Sequence, residues 1–314
     1  PRQQVRQRRA GHEPHRDERH AVDVAGLVDG DDAGVVDARR GHGLALGGKL
    51  GGLDTEVIVV DDSGEGLSSA DWQSDSRVRV YTTNRALRSA AGNVGAAVAR
   101  GDYLHFLDDD DLLLPGAYEA LLEVATSTEA VWVHGGYEEM DDEGKTLCTR
   151  MPSVRGKAFA FAAAGGAIPL GASLIKRDVF LKAGGISPTM VPGEDVELLQ
   201  RVALLGDVEF ANVPVARFRV GPAGSTTTPW AEAEASGRRR REVAFATPGC
   251  GSELCASITD QTTRGKLVRY CVGSCGRNLR GGAPLTALSR LSLGVRLASR
   301  GILSAVFWRA FCRK

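Results

Sequence analysis

The sequence predicts an α/β domain with a mostly parallel central sheet, on three observations. A β-branched run, Val57-Ile58-Val59-Val60, ends in Asp61-Asp62-Ser63-Gly64. A second apolar run, Tyr103-Leu104-His105-Phe106-Leu107, ends in Asp108-Asp109-Asp110-Asp111. Small, Ala-rich helical stretches separate such runs. Strands alternating with helices build a parallel sheet, and ligands of such sheets sit at the carboxyl ends of the strands, where both acidic clusters fall.

Taken in order, the elements begin late. Residues 1–52 contain no Phe, Tyr, Trp, Ile, Met, Cys, Ser, Thr or Asn, yet hold four of the six histidines and eight arginines. That texture reads as a disordered basic leader or as translation of a GC-rich gene in the wrong frame, and no function is assigned to it. Val57–Val60 is uninterrupted in apolar character, as a strand covered on both faces must be. Val78-Arg79-Val80-Tyr81 is a short second strand, and Arg85 to Arg100 is a closely packed helix. Tyr103–Leu107 is a third strand. Pro115 opens a helix through Val124, Ala130-Val131-Trp132-Val133 is a further strand, and Val196 to Leu205 is an apolar helix. The Gly, Pro, Ser and Thr content after residue 221, followed by the run Arg238 to Arg241, makes 222–262 a linker. From 263 to 314 apolar residues recur among arginines at helical spacing, a basic amphipathic segment. The resulting division is 1–52, unplaced; 53–221, the α/β domain; 222–262; and 263–314.

Composition bounds the function. The 314 residues carry 39 Lys plus Arg and 39 Asp plus Glu, with 43% apolar and 6% aromatic content. This excludes a disordered charged tail, a collagen-like chain and a disulfide-rich secreted module. The zero net charge hides a segregation, because after Asp260 there are eleven Lys or Arg and no acid. None of the six cysteines forms a C-x-x-C pair, so no zinc ribbon or redox motif is spelled out, and a reducing cytoplasm is the default. The first twenty residues lack the apolar stretch of a secretory signal. The uncharged run Ala158 to Ile175 is too rich in Ala and Gly for a membrane span.

Four consecutive aspartates repel one another unless a cation neutralises them, and oxygen-only ligands select Mg²⁺ or Mn²⁺. In an extended segment Asp108 and Asp110 face one way and Asp109 and Asp111 the other. The plainer alternative is a solvated loop, or Asp111 as a helix cap before Leu112. Asp61-Asp62 can accept hydrogen bonds from a base or ribose, or simply end the strand in an Asp-Ser-Gly turn. Glu194-Asp195, after Pro192-Gly193, is a helix cap favoured by the macrodipole, or contains a general base for an attacking hydroxyl. His105 and His134 read as core or rim residues.

The blocks "EVIVVDDSGEG", "AAGNVGAAVARGDYLHFLDDDDLLLPGAYEALL", "GASLIKRDVFLKAGGISPTM" and "GEDVELLQRV", in this order and spacing over about residues 53 to 220, resemble the family-2 inverting glycosyltransferases of the GT-A nucleotide-sugar-binding fold. The resemblance implies that Asp61 and Asp62 hold the base and ribose of the donor. It implies that Asp108 and Asp110 form the D-x-D pair that binds Mn²⁺ or Mg²⁺ on the diphosphate, with Asp109 beside the donor sugar and ribose and Asn93 also at the donor. Asp195 becomes the catalytic base, and Gly184-Gly185 the turn before the acceptor-side loop. The chemistry is consistent: a leaving diphosphate needs its charge neutralised, and a single in-line attack needs one base and inverts the anomeric centre.

The departures are specific. The family's first strand and its Pro-Thr-Tyr-Asn-like turn have no counterpart in Ala21 to Arg40. Ala91-Gly92-Asn93 lacks the arginine that relatives often carry there, although Arg88 lies a turn earlier. Arg219-Val220-Gly221 lacks the histidine of an Arg-x-His-like sequence.

The expectation is therefore an enzyme moving a sugar from a nucleotide donor to a hydroxyl acceptor that is a sugar, a lipid-linked molecule or a small molecule, in the setting of cell-envelope polysaccharide. Two alternatives stand beside it: a metal-dependent nucleotidyltransferase, and a non-catalytic or frame-damaged product. The basic tail either packs as amphipathic helices on the domain or attaches to an anionic membrane surface on its cytoplasmic face. Nucleic acid is not an expected partner, since aromatics are sparse among the arginines.

Overall fold

The computed structural model describes residues 32–37 (backbone), 55–61, 71–83, 88–108, 111–190, 192–220, 230–301 and 303–312. The chain divides into two compact units. One comprises Pro1–Val154, Ile168–Pro188 and Glu209–Thr227; the other comprises Arg155–Ala167, Thr189–Val208 and Thr228–Lys314.

The first unit is α/β. Its strands are β1 (Asp32–Asp37), β2 (Thr55–Asp61), β3 (Val78–Thr82), β4 (Tyr103–Leu104), β5 (Phe106–Asp108), β6 (Leu112–Leu113), β7 (Trp132–Met140), β8 (Thr146–Arg150), β9 (Ser173–Lys176) and β10, which runs from Val208 to Arg219. Helices α1 (Arg88–Val98) and α2 (Ala117–Ser127) intervene, and a short helix, Arg177–Lys182, follows β9. Strands β3-β2-β1-β5 form a four-stranded sheet in which every pairing is parallel. All seven residues of β2 are buried, as its unbroken apolar run requires.

A second sheet runs β4-β9-β7-β10-β6, with β8 beside β7, and its β4–β9, β7–β9, β7–β8 and β10–β6 pairs are antiparallel. The α/β class is as expected, but "mostly parallel" is corrected: a parallel sheet and a mixed or antiparallel one share the unit. Close approach of backbones shapes the second sheet. A Cβ at Gly135 would lie 2.6 Å from both γ-methyls of Val215, so β7 tolerates no side chain there.

Two further expectations are corrected here. The stretch Ala21 to Arg40, read as lacking a strand, contains β1, which lies between β2 and β5 with Asp37 opposite Val60 on one side and Asp108 on the other. The run Tyr103–Leu107 is two strands of different sheets, parted at His105. The fully buried His105 ring turns aside to meet the Ser173 carbonyl at 3.0 Å through Nδ1, and packs edge-on against Tyr118. The chain changes sheets where this polar side chain must find a partner inside the core.

The second unit is helical. Labelled in chain order with Arg177–Lys182 as α4, its helices are α3 (Phe159–Ala163), α5 (Glu194–Val202), α6 (Trp230–Ala246), α7 (Cys250–Ser257), α8 (Gln261–Arg280), α9 (Pro284–Ala298) and α10 (Ala305–Cys312). Buried polar bonds lock it: the Ser257 hydroxyl accepts from Ala160 N at 3.0 Å, and Gln200 Nε2 donates to the Ala162 carbonyl at 3.3 Å. Asp260 caps α8, its carboxylate accepting from Thr263 N at 2.8 Å. Helices α9 and α10 both pack on α8.

The reading of 222–262 as a linker is corrected, since α6 and α7 occupy most of it. Helix α6 carries no apolar stripe that a sequence could reveal. Polar partners hold it instead: Arg238 pairs with Glu234 one turn earlier, while Glu242 accepts from Ser274, Arg277 and Arg290. Among the described residues no helix is long and apolar enough to cross a membrane.

Candidate functional site

The carboxyl edge of the parallel sheet gathers acidic residues from strands far apart in sequence. Asp61 ends β2 opposite Thr82 of β3, Asp37 ends β1, and Asp108 ends β5 opposite Asp37. Across the intervening β1, two strand spacings place the Asp61 and Asp108 backbones about 10 Å apart. Asp61 is fully buried, and its main-chain carbonyl accepts from Thr83 N at 2.8 Å, fixing the strand end. Asp108 is half-buried, and its carbonyl accepts from Asp111 N at 3.2 Å.

Of the four consecutive aspartates, Asp109 and Asp110 lie outside the described residues, as does Asp62. Asp111 does not cap a helix; Leu112–Leu113 is β6, and the Asp111 carboxylate accepts from Arg219 N at 3.0 Å. The Arg219 guanidinium in turn donates to the carbonyls of Asp141 and Asp142, at 3.1 and 2.9 Å. The end of β10 thus anchors the acidic loop. Among the described residues no group of three His, Cys, Asp or Glu is placed to hold a metal ion. Asp108 itself fits one: a half-buried hard oxygen donor at a strand end suits Mg²⁺ or Mn²⁺, which take one or two carboxylates and complete their shell with water and phosphate.

Asn93 is engaged with the main chain of Ile186. Its Nδ2 donates to the Ile186 carbonyl at 2.8 Å, and its Oδ1 accepts from Ile186 N at 2.7 Å. Gly184 and Gly185 precede that residue with φ of 88° and 70°. The glycine pair expected before the acceptor-side loop is thus a left-handed turn that an α1 side chain fastens.

Asp195 belongs to the helical unit, in the first turn of α5. Gly193 precedes it with φ 95°, donating its N–H to Glu194 Oε2 at 2.9 Å, while Asp195 Oδ1 accepts from Val196 N at 2.7 Å. Both acids sit where the helix dipole favours negative charge. From α6, Arg240 Nη1 donates to the Pro192 carbonyl and to Ser236 Oγ, and Ser236 also donates to Pro192 O at 2.8 Å. Burial pulls the Arg240 guanidinium below its usual pKa range, and the nearby charges of Asp195 and Glu194 oppose that fall. A Cβ at Gly193 would collide with this guanidinium. His105 and His134 are fully buried, as core residues.

Sequence reasoning missed Asp37 and Arg240. Asp37 had a signal: Val35-Val36-Asp37 repeats the Val59-Val60-Asp61 ending of β2. Arg240 had none, because it sits in a run of arginines whose individual partners only the fold selects.

In open parallel sheets ligands bind outside the carboxyl ends of the strands, which is where Asp61 and Asp108 lie. Residues 46–182 match the model of glycosyl transferase family 2, the family that the sequence blocks resemble. An uncharacterized glycosyltransferase of Haemophilus influenzae is 33% identical over 154 residues, which is 47% of this chain and 51% of that protein. The glycosyltransferase GlyG of Streptococcus pneumoniae is 34% identical over 93 residues, 28% of this chain and 31% of that protein. The chain thus spans about half the length of the first relative and under a third of the second. The solved structure of Staphylococcus aureus TarS in complex with UDP superposes with a TM-score of 0.48 at 12% identity, covering 78% of this chain and 82% of that one.

Proposed function

We propose that this chain transfers a glycosyl group from a nucleoside-diphosphate sugar to a hydroxyl acceptor, with inversion at the anomeric carbon. The observation that carries the proposal is the carboxyl edge of the parallel sheet, where β2 ends in Asp61 and β5 in Asp108 with β1 between them.

In this reading Asp61 and Asp62 accept hydrogen bonds from the base and ribose. Asp108 and Asp110 hold Mn²⁺ or Mg²⁺, which, when bound, supplies positive charge against the leaving diphosphate. Asp109 lies beside the donor sugar and ribose. Asp195 takes the proton of the acceptor hydroxyl as its oxygen attacks the anomeric carbon from the face opposite the diphosphate. The carbon–oxygen bond to the phosphate breaks as the new one forms, and the nucleoside diphosphate leaves.

The test measures donor binding and turnover separately on the full chain with Mn²⁺. Asp195→Asn should lose at least about a thousandfold in turnover with donor affinity unchanged, in keeping with the loss of a general base. Asp108→Asn should instead weaken metal-dependent binding of the nucleoside diphosphate. Full transfer by the Asp195 variant would remove the base assignment. Pyrophosphate release from a nucleoside triphosphate and a sugar phosphate would replace the reading with nucleotidyl transfer. If nucleoside diphosphates with Mn²⁺ give no protection against unfolding, the non-catalytic alternative stands, because a ligand of the folded state must stabilise it.

A further inference from the structure

We infer that α9 is a membrane-docking helix that lies on an anionic lipid surface. Its exposed face is apolar and covers nothing among the described residues. Ala287, Leu293, Gly294 and Leu297 are buried where the helix packs on α8. On the other side Leu285, Leu288, Leu291 and Val295 are 83%, 64%, 46% and 63% exposed. At about 100° per residue these four fall within an arc of roughly 120°, opposite the buried four. The apolar exposure continues beyond the helix at Leu303, 99% exposed, and at Val306 and Trp308 of α10. Leaving so many large side chains in water is unfavourable, and such a patch marks a surface that meets another phase or partner.

Charge selects the occupant. The segment after Asp260 holds eleven Lys or Arg and no acid. Arg296 and Arg300, at the end of the stripe, and Arg309 of α10 are exposed. A second copy of the chain seated on this face would bring two such basic segments together, and like charges disfavour that contact. An anionic bilayer supplies both requirements at once, acyl chains for the leucines and headgroup charge for the arginines. No described helix is long and apolar enough to span, so α9 lies in the plane of the interface. The inference is independent of sugar transfer, because it rests on the stripe and the charge alone.

The experiment is co-sedimentation of the full chain with vesicles, those containing phosphatidylglycerol against pure phosphatidylcholine. Binding should be at least tenfold tighter to the anionic vesicles and weaken with salt. Leu288→Gln combined with Val295→Gln should remove at least nine-tenths of the bound fraction. Both positions are exposed, and unchanged helical circular dichroism would show the variant folded. Arg296→Gln combined with Arg300→Gln should lower affinity for anionic vesicles and leave the weak binding to neutral ones unaltered. Equal binding to both vesicle types, no binding to either, or retention by the Leu288 and Val295 variant would each overturn the proposal. So would a concentration-dependent dimer that the same double substitution dissolves, or an acidic protein competing for the stripe in the absence of lipid binding.

Discussion

The Asn93 carboxamide closes a two-point clamp on the main chain of Ile186, ninety-three positions away, accepting from its N–H at 2.7 Å and donating to its carbonyl at 2.8 Å. The clamp mimics one rung of a β-ladder and ties α1 to the turn after Gly184-Gly185. Asn93→Ala removes both bonds and orphans two part-buried backbone groups, for a loss of about 2–3 kcal/mol in unfolding free energy. Asn93→Asp keeps the acceptor for Ile186 N but turns a carboxylate oxygen on the Ile186 carbonyl, so it should cost as much above the carboxylate's pKa. Denaturant unfolding measures both, and hydrogen exchange at the Ile186 amide reports the local opening.

Gly185 sits inside the same clamp, with φ 70°, and a Cβ there would land on Asn93 Oδ1. Gly185→Ala should therefore destabilise by more than the ~1 kcal/mol of its left-handed backbone alone. In the Asn93→Ala background the added cost should shrink to about that backbone value. A double-mutant cycle on unfolding free energies reads the difference.

These two residues show how much of the molecule the sequence displays. The apolar run of β2, ended by aspartates, is visible because burial on both faces dictates its composition. The glycine pair is visible because only glycine takes such φ values easily. The clamp is not visible, since an Asn in a helix announces no partner. Helix α6 is hidden for a different reason: Ser236 and Arg240 both donate to the distant Pro192 carbonyl and Glu242 accepts from Ser274, and no periodic pattern records that. The sheet edge was half legible, with Asp61 and Asp108 evident and β1 masked by a residue texture unlike that of a domain.

His105 should make stability depend on pH. Burial holds its imidazole down at about pKa 4 against an ordinary 6.5, and although Nδ1–H donates to the Ser173 carbonyl, Nε2 has no partner among the described residues. The folded state thus keeps the ring neutral while the unfolded chain protonates it. Its contribution is complete above pH 6.5 and falls as pH drops towards about 4, by ~3 kcal/mol over the window. His105→Phe should flatten that part of the pH profile of unfolding free energy, at a cost near neutrality for the lost bond to Ser173. An unchanged slope in the variant would remove His105 as its source.

Arg240 is a positioning residue for the start of α5. Its donation to the Pro192 carbonyl and to Ser236 Oγ secures the turn from which Glu194 and Asp195 emerge. Arg240→Ala should speed amide exchange at Gly193 and Val196 by about tenfold, the size of one charged hydrogen bond at the low end. If Asp195 is the base, turnover should fall with donor affinity unchanged, whereas a purely structural role would lower thermal stability and leave the turnover of the folded fraction intact.

Glu242 holds the helical unit together through charge. It accepts from the Ser274 hydroxyl, from Arg277 at 3.3 Å and from Arg290 Nε at 3.3 Å, and the Arg290 side chain is only 8% exposed. Burial raises the Glu242 pKa, but the bonds from Ser274 and Arg290 outweigh it, so the carboxylate lies below its usual range. The unfolded chain takes up the proton first, and this contribution is present above about pH 4.5 and lost as pH falls below that. Glu242→Ala leaves the buried Arg290 its bond to the Phe245 carbonyl but takes away the carboxylate beside it, a loss of about 3 kcal/mol. Glu242→Gln keeps an acceptor for Ser274 and should lose less than the alanine variant. Thermal unfolding at pH 7 orders the three proteins, and the gap between wild type and Glu242→Gln should narrow progressively as pH falls below about 4.5.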